Sequence, residues 1–430
     1  MSGDSRAFNG EPAPPDHTLL GVPREVIAIS IARFCDAFGN SVLFVVLPLY
    51  FARFAGSGVA LPEQAAVGFL IALYAFVSAP LQPLVGWLSD RIGHRKGLIL
   101  AGLALMAAAT LGFGFATLFV HLVILRALQG LGVALTIPTS FAVISINTPR
   151  RNRATAVAFY TTARSLGFTI GPPLGGILYV MGGAKISFVV ASALIILGLA
   201  FVGILLNERR NTAANNKNTA GRRPASFGEL FRLKGLVVLG MISLAMGSVV
   251  TLLVPLEKWA NQRLEQTAVE FGLALSAMLF AGFIFQIPAG KLSDRIGRKP
   301  MMIAGLALLI PAVLLTGFAG STLVLIVAMG FQGFARALMS SPSYALAADM
   351  APPGAEAKQM SVLTTSFGLG MAFGPLMSGL LAGYFFYELP FIAIALLALA
   401  CLILVMLRVE ELPPVTEATK AAAEGDARGA

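Results

Sequence analysis

Apolar runs of about 20 residues recur along the whole chain, divided by short polar phrases. Wound as an α-helix, a run of about 20 residues crosses a hydrocarbon core of about 30 Å. Twelve such runs are predicted. Six cover approximately 26–51, 65–87, 97–117, 118–144, 154–180 and 186–206; six more cover 236–256, 268–289, 301–318, 322–348, 359–385 and 389–407. The longest internal polar stretch, "NERRNTAANNKNTAGRRPASFGELFRLKG", divides six from six and reads as a cytoplasmic linker. The expected organisation is a disordered cytoplasmic tail (1–23), a six-helix bundle (24–207), the linker (208–235), a second six-helix bundle (236–408) and a second disordered tail (409–430).

Composition agrees with this pattern. The chain is 57% hydrophobic and only 12% charged, whereas about a quarter of a soluble domain is charged. The fold class is therefore an all-α membrane protein of twelve transmembrane helices. Residues 1–23 lack the apolar core of a cleavable signal peptide. Cys35 and Cys401 fall in the first and last spans and suggest no disulfide framework. His17, His94 and His121 are scattered, so no zinc cluster is expected. No nucleophile–base set or phosphate loop points to an enzyme. The net charge of +10 raises the question of nucleic acid, but its placement answers otherwise. With both termini inside, only Arg53, Lys185, Lys258 and Arg263 lie outside, and Arg33, Arg126, Arg164 and Arg336 lie within spans. All other Lys and Arg are cytoplasmic. That is the positive-inside bias of a protein whose partner is the lipid bilayer.

The two halves repeat one another. "GWLSDRIGHRK" begins at Gly86 and "GKLSDRIGRKP" at Gly290, while "LQG" at Leu128 returns as "FQG" at Phe331. "GFTIGPPLGG" from Gly167 returns as "GMAFGPLMSG" from Gly370, and "AVISINTP" as "ALAADMAP". Four phrases in one order at a nearly constant offset argue for duplication, with two pseudo-symmetric bundles around a midplane site.

On these phrases the chain resembles the major facilitator superfamily. The first pair resembles its loop signature between the second and third helices, G-x-x-x-D-R-x-G-R-[KR]. The matching residues are Gly86, Asp90, Arg91, Gly93 and Arg95 in one half, and Gly290, Asp294, Arg295, Gly297 and Arg298 in the other. A tight turn is expected, with Gly86 and Gly93 permitting unusual backbone angles. The resemblance implies that Asp90 meets the start of the eleventh helix near Gln359, and Asp294 the start of the fifth near Ala154. Such contacts form with the cytoplasmic side closed and latch the outward-open state. Asp349 is placed to hold Arg298; the first half has Ile146 there, with Asn147 as a substitute.

Ionisable residues at bilayer depth are costly and mark functional candidates. Asp36 is the only acid deep in any span, about 15 Å from the inner boundary, and Arg126 lies about 18 Å from it. Two readings stand. Asp36 carries a proton and Arg126 tunes it, because burial and a nearby guanidinium act on a carboxyl in opposite senses. Alternatively, Asp36 pairs statically with Arg33, one turn back. The phrase around Arg126 resembles the superfamily's fourth-helix signature R-x-x-x-G, associated with proton coupling; Met329 replaces it in the second half. Arg164 lies near midplane, and Arg336 either faces a cavity or snorkels toward the cytoplasm. This excess of positive charge suits an anionic or carboxylate-bearing cargo. Asn40, Gln129, Tyr160, Gln286, Gln332 and Tyr344 are further candidates for the cavity. Glu257, at the outer end of the seventh span, reads as an interface residue or a cargo contact.

In "GFTIGPPLGG", Gly167, Gly171 and Gly175 recur every fourth residue and give a smooth packing face. Pro172 bends the helix, and Gly176 completes a G-x-x-x-G-P-x-x-G-G signature resembling that of drug/proton antiporters. "CDAFGNSVLFVVLPLY" resembles the first helix of tetracycline-type exporters, with Asp36 at their acidic position. The resemblance implies a monomeric, proton-coupled antiporter of a bacterial inner (plasma) membrane. It would export small amphipathic compounds, as in multidrug efflux, by alternating access. The proton gradient would drive it without a cofactor. An uptake symporter or organic-anion exchanger on the same scaffold is the alternative.

Overall fold

In a computed structural model of the chain, which describes residues 18–19, 22–54, 61–148, 152–206, 234–350 and 356–409, every predicted apolar run is helical. The first four helices are α1 (Arg24–Phe51), α2 (Glu63–Ile92), α3 (Arg95–Gly112) and α4 (Phe119–Asn147). The next helix, Arg153–Leu205, is 53 residues long and breaks at Gly182 and Gly183. Gly183 has φ 70, a left-handed value that favours glycine. The break separates α5 (153–181) from α6 (184–205).

The second half contains α7 (Lys234–Thr251), α8 (Glu257–Leu264), α9 (Ala268–Ile296), α10 (Arg298–Gly317), α11 (Thr322–Asp349), α12 (Glu356–Tyr384) and α13 (Leu389–Arg408). Eleven described helices are long and apolar enough to cross a membrane, and one of them is the doubled α5–α6. With α5–α6 counted as two, the described residues form twelve spans of a nearly all-helical membrane protein. The seventh span departs from a single rod. A 3-10 turn at Val254–Leu256 interrupts it, where Pro255 lacks the N–H that would continue the helical ladder.

Two expectations need correction. Part of the tail expected to be disordered is ordered: Thr18–Leu19 pairs antiparallel with Val22–Pro23 just before α1. The repeated charged phrase is mostly helix rather than loop. α2 runs on through Gly86 and ends at Ile92, so only Gly93 and His94 turn the chain. Gly93 caps α2 at φ 71, and Gly297 joins α9 to α10 at φ 108. Gly86 does not turn the chain; it lies in the helix beside the Pro138 side chain.

Matching contacts recur at equivalent places in the two halves. Ser41 Oγ donates to the Gly167 carbonyl and Ser248 Oγ to the Gly370 carbonyl, both at 3.2 Å. Gln129 Nε2 donates to Thr110 Oγ1 at 2.8 Å, and Gln332 Nε2 donates to Thr316 Oγ1. Lys96 Nζ reaches the Gly203 carbonyl at 2.6 Å, and Lys299 Nζ the Met406 carbonyl at 3.1 Å. These lysines meet the carbonyl ends of α6 and α13, where a cation also complements the helix dipole.

The face bearing Gly93 and Gly297 is here the motif face, and the opposite one the far face. The halves meet toward the far face, where α5 packs on α9 and α2 on α12. A Cβ on Gly176 would lie 2.5 Å from the Ala268 carbonyl oxygen, and one on Gly272 2.5 Å from that of Pro172. Lys258 Nζ bridges the halves to Glu63 at 2.7 Å, and Phe76 meets Phe373 edge-on at 5.3 Å.

Replacing Lys96 or Lys299 by Met should remove one hydrogen bond from a helix end, a loss of about 0.5–1.5 kcal/mol. Hydrogen–deuterium exchange should then rise several-fold in the last turn of α6 or α13 and stay unchanged elsewhere.

Candidate functional site

A cavity of about 540 Å³ lies between the halves and opens toward the motif face. Its floor is the far-side seam. α1 is buried along nearly its whole length, so its polar side chains must find partners inside the protein. Arg33, Asp36 and Asn40 from α1 line the cavity, with Arg126 from α4 and Tyr160 and Arg164 from α5. Across from them stand Gln286 of α9 and Arg336 and Tyr344 of α11.

Asp36 pairs with Arg33. Arg33 Nη1 donates to Asp36 Oδ2, and the two side chains are 8% and 3% exposed. The spacing of three residues places them on one helical face. Asp36 Oδ1 has no hydrogen-bond partner, so the carboxylate is held by one of its two oxygens. Arg33 also lies 6.0 Å from the Tyr160 ring centre.

Arg126 has a different set of partners. Fully buried, it donates from Nε to the Leu70 carbonyl at 3.2 Å. From Nη1 it donates to Asn40 Oδ1 at 3.1 Å and Gln129 Oε1 at 2.9 Å. Its guanidinium lies 5.4 Å from the Tyr74 ring centre. Arg126 therefore ties α1, α2 and α4 together through neutral acceptors and makes no hydrogen bond to Asp36.

Arg164 and Arg336 line the cavity from opposite halves. Arg164 sits over the Phe168 ring at 4.9 Å. Arg336 lies against Gly282 of α9, where any Cβ would collide with its guanidinium. The Nε of each lacks a hydrogen-bond partner. Arg126, Arg164 and Arg336 form no ion pair with a described residue, and Asp36 is the one acid lining the cavity among described residues. The cavity thus carries an excess of positive charge.

Three cavity candidates lie elsewhere. Gln129 and Gln332 point between helices of their own halves, toward Thr110 and Thr316. Glu257 is sealed in α8 at the far face, because the helix break after α7 turns it into the seam. Tyr74, Phe168 and Gly282 line the cavity and are not distinguished by the sequence pattern, since aromatics and glycines occur in every span.

The α5 glycines serve two neighbours. Gly167, Gly171 and Gly175 lie against Phe34, Ser41 and Val42 of α1, whereas Gly176 meets α9 of the other half. Ser276 Oγ of α9 also donates to the Thr169 carbonyl. α5 therefore joins the helix carrying Asp36 to the far-side seam.

The proposed latch partners are only partly visible. The side chains of Asp90, Ala154, Asp349 and Gln359 lie outside the described residues. Asp294 and Arg295 are exposed, and Asp294 pairs with no described residue. Arg91 lies 5.3 Å from the Trp87 ring centre. Arg95 and Arg298 open the first turns of α3 and α10. Asn147 donates to the Val143 carbonyl of its own helix at 2.9 Å, so its amide is engaged there.

This twofold helical architecture around a central cavity defines a membrane transporter. The chain belongs to the Major Facilitator Superfamily, whose family model matches residues 29–265 and 239–428. It is 25% identical over 381 residues to the "Multi-drug resistance efflux pump PmrA homolog" of Lactococcus lactis, covering 86% of this chain and 91% of that protein. It is also 25% identical over 326 residues to the human "Synaptic vesicular amine transporter", covering 75% of this chain and 62% of that longer protein. Among solved structures, a bacterial homolog of the human lysosomal transporter Spinster, inward-facing and occupied, has a TM-score of 0.73 at 16% identity. That match covers 89% of this chain and 96% of the other. The human organic anion transporter MFSD10 has a TM-score of 0.62 at 20% identity, covering 89% and 99%.

Arg126→Leu should lower stability by about 1–3 kcal/mol, because it leaves buried acceptors without a donor. Arg336→Leu should stay within about 0.5 kcal/mol. Thermal unfolding of both variants in one detergent checks the contrast.

Proposed function

We propose that this chain is a proton-coupled exporter of small amphipathic molecules, and that Asp36 is its proton carrier. The observation that carries the reading is the buried Arg33–Asp36 pair in the cavity between the halves. Protonation neutralises Asp36 and frees Arg33, changing the cavity charge by one unit where solvent screening is weak. α5 transmits the resulting shift of α1 to the seam through its glycines. With the motif face cytoplasmic, as the distribution of basic residues favours, the described state is inward-open. The signature on α5 and the similarity to an efflux pump homolog favour export. Asp90 and Asp294 act as latches that engage when the cytoplasmic side closes.

A second reading is favoured by Arg164 and Arg336, which line the cavity from opposite halves and form no ion pair with a described residue. They suit an organic anion. The sign of proton coupling separates the two readings. Protonation of Asp36 adds positive charge, so it strengthens binding of an anion and favours cotransport. It weakens binding of a cation and favours exchange. Cargo affinity measured from the motif side should fall as pH drops for an exchanged cation and rise for a cotransported anion.

Asp36→Asn should abolish proton-driven accumulation in inside-out vesicles with an acidic lumen while leaving elution and thermal unfolding near those of the parent. Normal gradient-driven transport by that variant would remove the assignment of Asp36.

A further inference from the structure

Glu257 opens α8 at the far face and is fully buried. Neither of its carboxyl oxygens has a hydrogen-bond partner. An ionised carboxylate enclosed in this way is strongly disfavoured unless a cation or donors compensate it. The charged neighbours are occupied with other groups. Lys258 pairs with Glu63 of α2, and Arg263 with Glu388 beside α13. Glu270 of α9 sits in a capping box with Thr267. Glu265 follows α8 at a left-handed backbone angle. On the α1 side, Tyr50 donates to the Ala116 carbonyl and Arg53 lies over the Tyr50 ring. Tyr387 stacks on Trp259 at 3.6 Å. Asn261, one turn along, is the polar side chain beside Glu257, but it is outside hydrogen-bond geometry and its Oδ1 accepts from Gln266 at 3.0 Å.

The position supplies the second half of the argument. α8 and the turn before it pack on α1 and α2 of the other half. Val254, Leu256 and Ala260 share an apolar core with Leu47, Tyr50 and Phe51. Opening the far side must break the Lys258–Glu63 bridge and part α8 from this core. The same movement brings water to Glu257.

We propose that Glu257 is a gate acid, which holds a proton while the far side is closed and releases it to far-side water on opening. Alkaline medium at the far face then favours the open gate, and acid favours closure. The device works whichever way cargo moves and is separate from Asp36, which lies in the central cavity.

The test uses spin labels at Leu118→Cys and Gly320→Cys, exposed sites at the far face, one in each half. Cys35 and Cys401 are replaced by Ala, and the background is Asp36→Asn so that Asp36 cannot contribute. In lipid nanodiscs, double electron–electron resonance should show the long-distance population rising several-fold from pH 5 to pH 9. Glu257→Gln, which is neutral throughout, should keep the short distance over the whole range. Glu257→Asp should retain the response with a displaced midpoint. A Glu257→Gln protein with the parent's pH response overturns the proposal. If that variant does not fold, Glu257→Asp decides: a displaced midpoint sustains the proposal and an unmoved one defeats it.

Discussion

Two pairs of helices, α5 with α9 and α2 with α12, approach until backbone touches backbone, and this contact sets what the rest of the molecule can do. It requires residues without side chains at the crossing points, which Gly176 and Gly272 supply. Because the described residues of the two halves pack together toward one face, a cavity is left between them toward the other. In lipid there is little hydrophobic gain from joining two apolar helices, so close packing must hold the seam. A seam of that kind can open without exposing a large apolar core to water, a property alternating access requires.

The buried charges follow a related constraint. A guanidinium in the membrane interior needs acceptors, and the protein treats that need in three ways, the last of which leaves Nε without a partner. Arg33 takes an acid, Arg126 takes neutral oxygens from three helices, and Arg164 and Arg336 rest on an aromatic ring and a glycine surface. The second way makes Arg126 structural as well as electrostatic. The third leaves charge directed at the cavity. An arginine found in a span is thus one of several different things, and its partners decide which.

Much of the fold was legible in the sequence because lipid imposes a simple rule: every backbone polar group must be paired within its own segment, and the exterior must be apolar. Twelve long apolar runs and four repeated phrases were enough to indicate two similar bundles. The site was less legible. Depth alone paired Asp36 with Arg126 as readily as with Arg33, and only packing shows that Arg126 is taken by Asn40, Gln129 and the Leu70 carbonyl. Gln129 and Gln332 resembled cargo anchors, yet their recurrence at one offset was a signal of a fastener used in both halves. Lys96 and Lys299 counted simply as cytoplasmic charge, because each partner carbonyl lies 107 residues further along the chain. Glu257 was left open between an interface residue and a cargo contact, and the helix break at Pro255 places it at the far-side seam.

The cationic cleft also bears on how this protein responds to its medium. Fixed positive charge between low-dielectric walls concentrates mobile anions and repels cations. Halide or phosphate in a buffer therefore competes with any acidic cargo, and a measured affinity belongs to the solution as much as to the protein. Exchanging chloride for a bulkier, weakly penetrating counter-ion changes that background without touching a single residue.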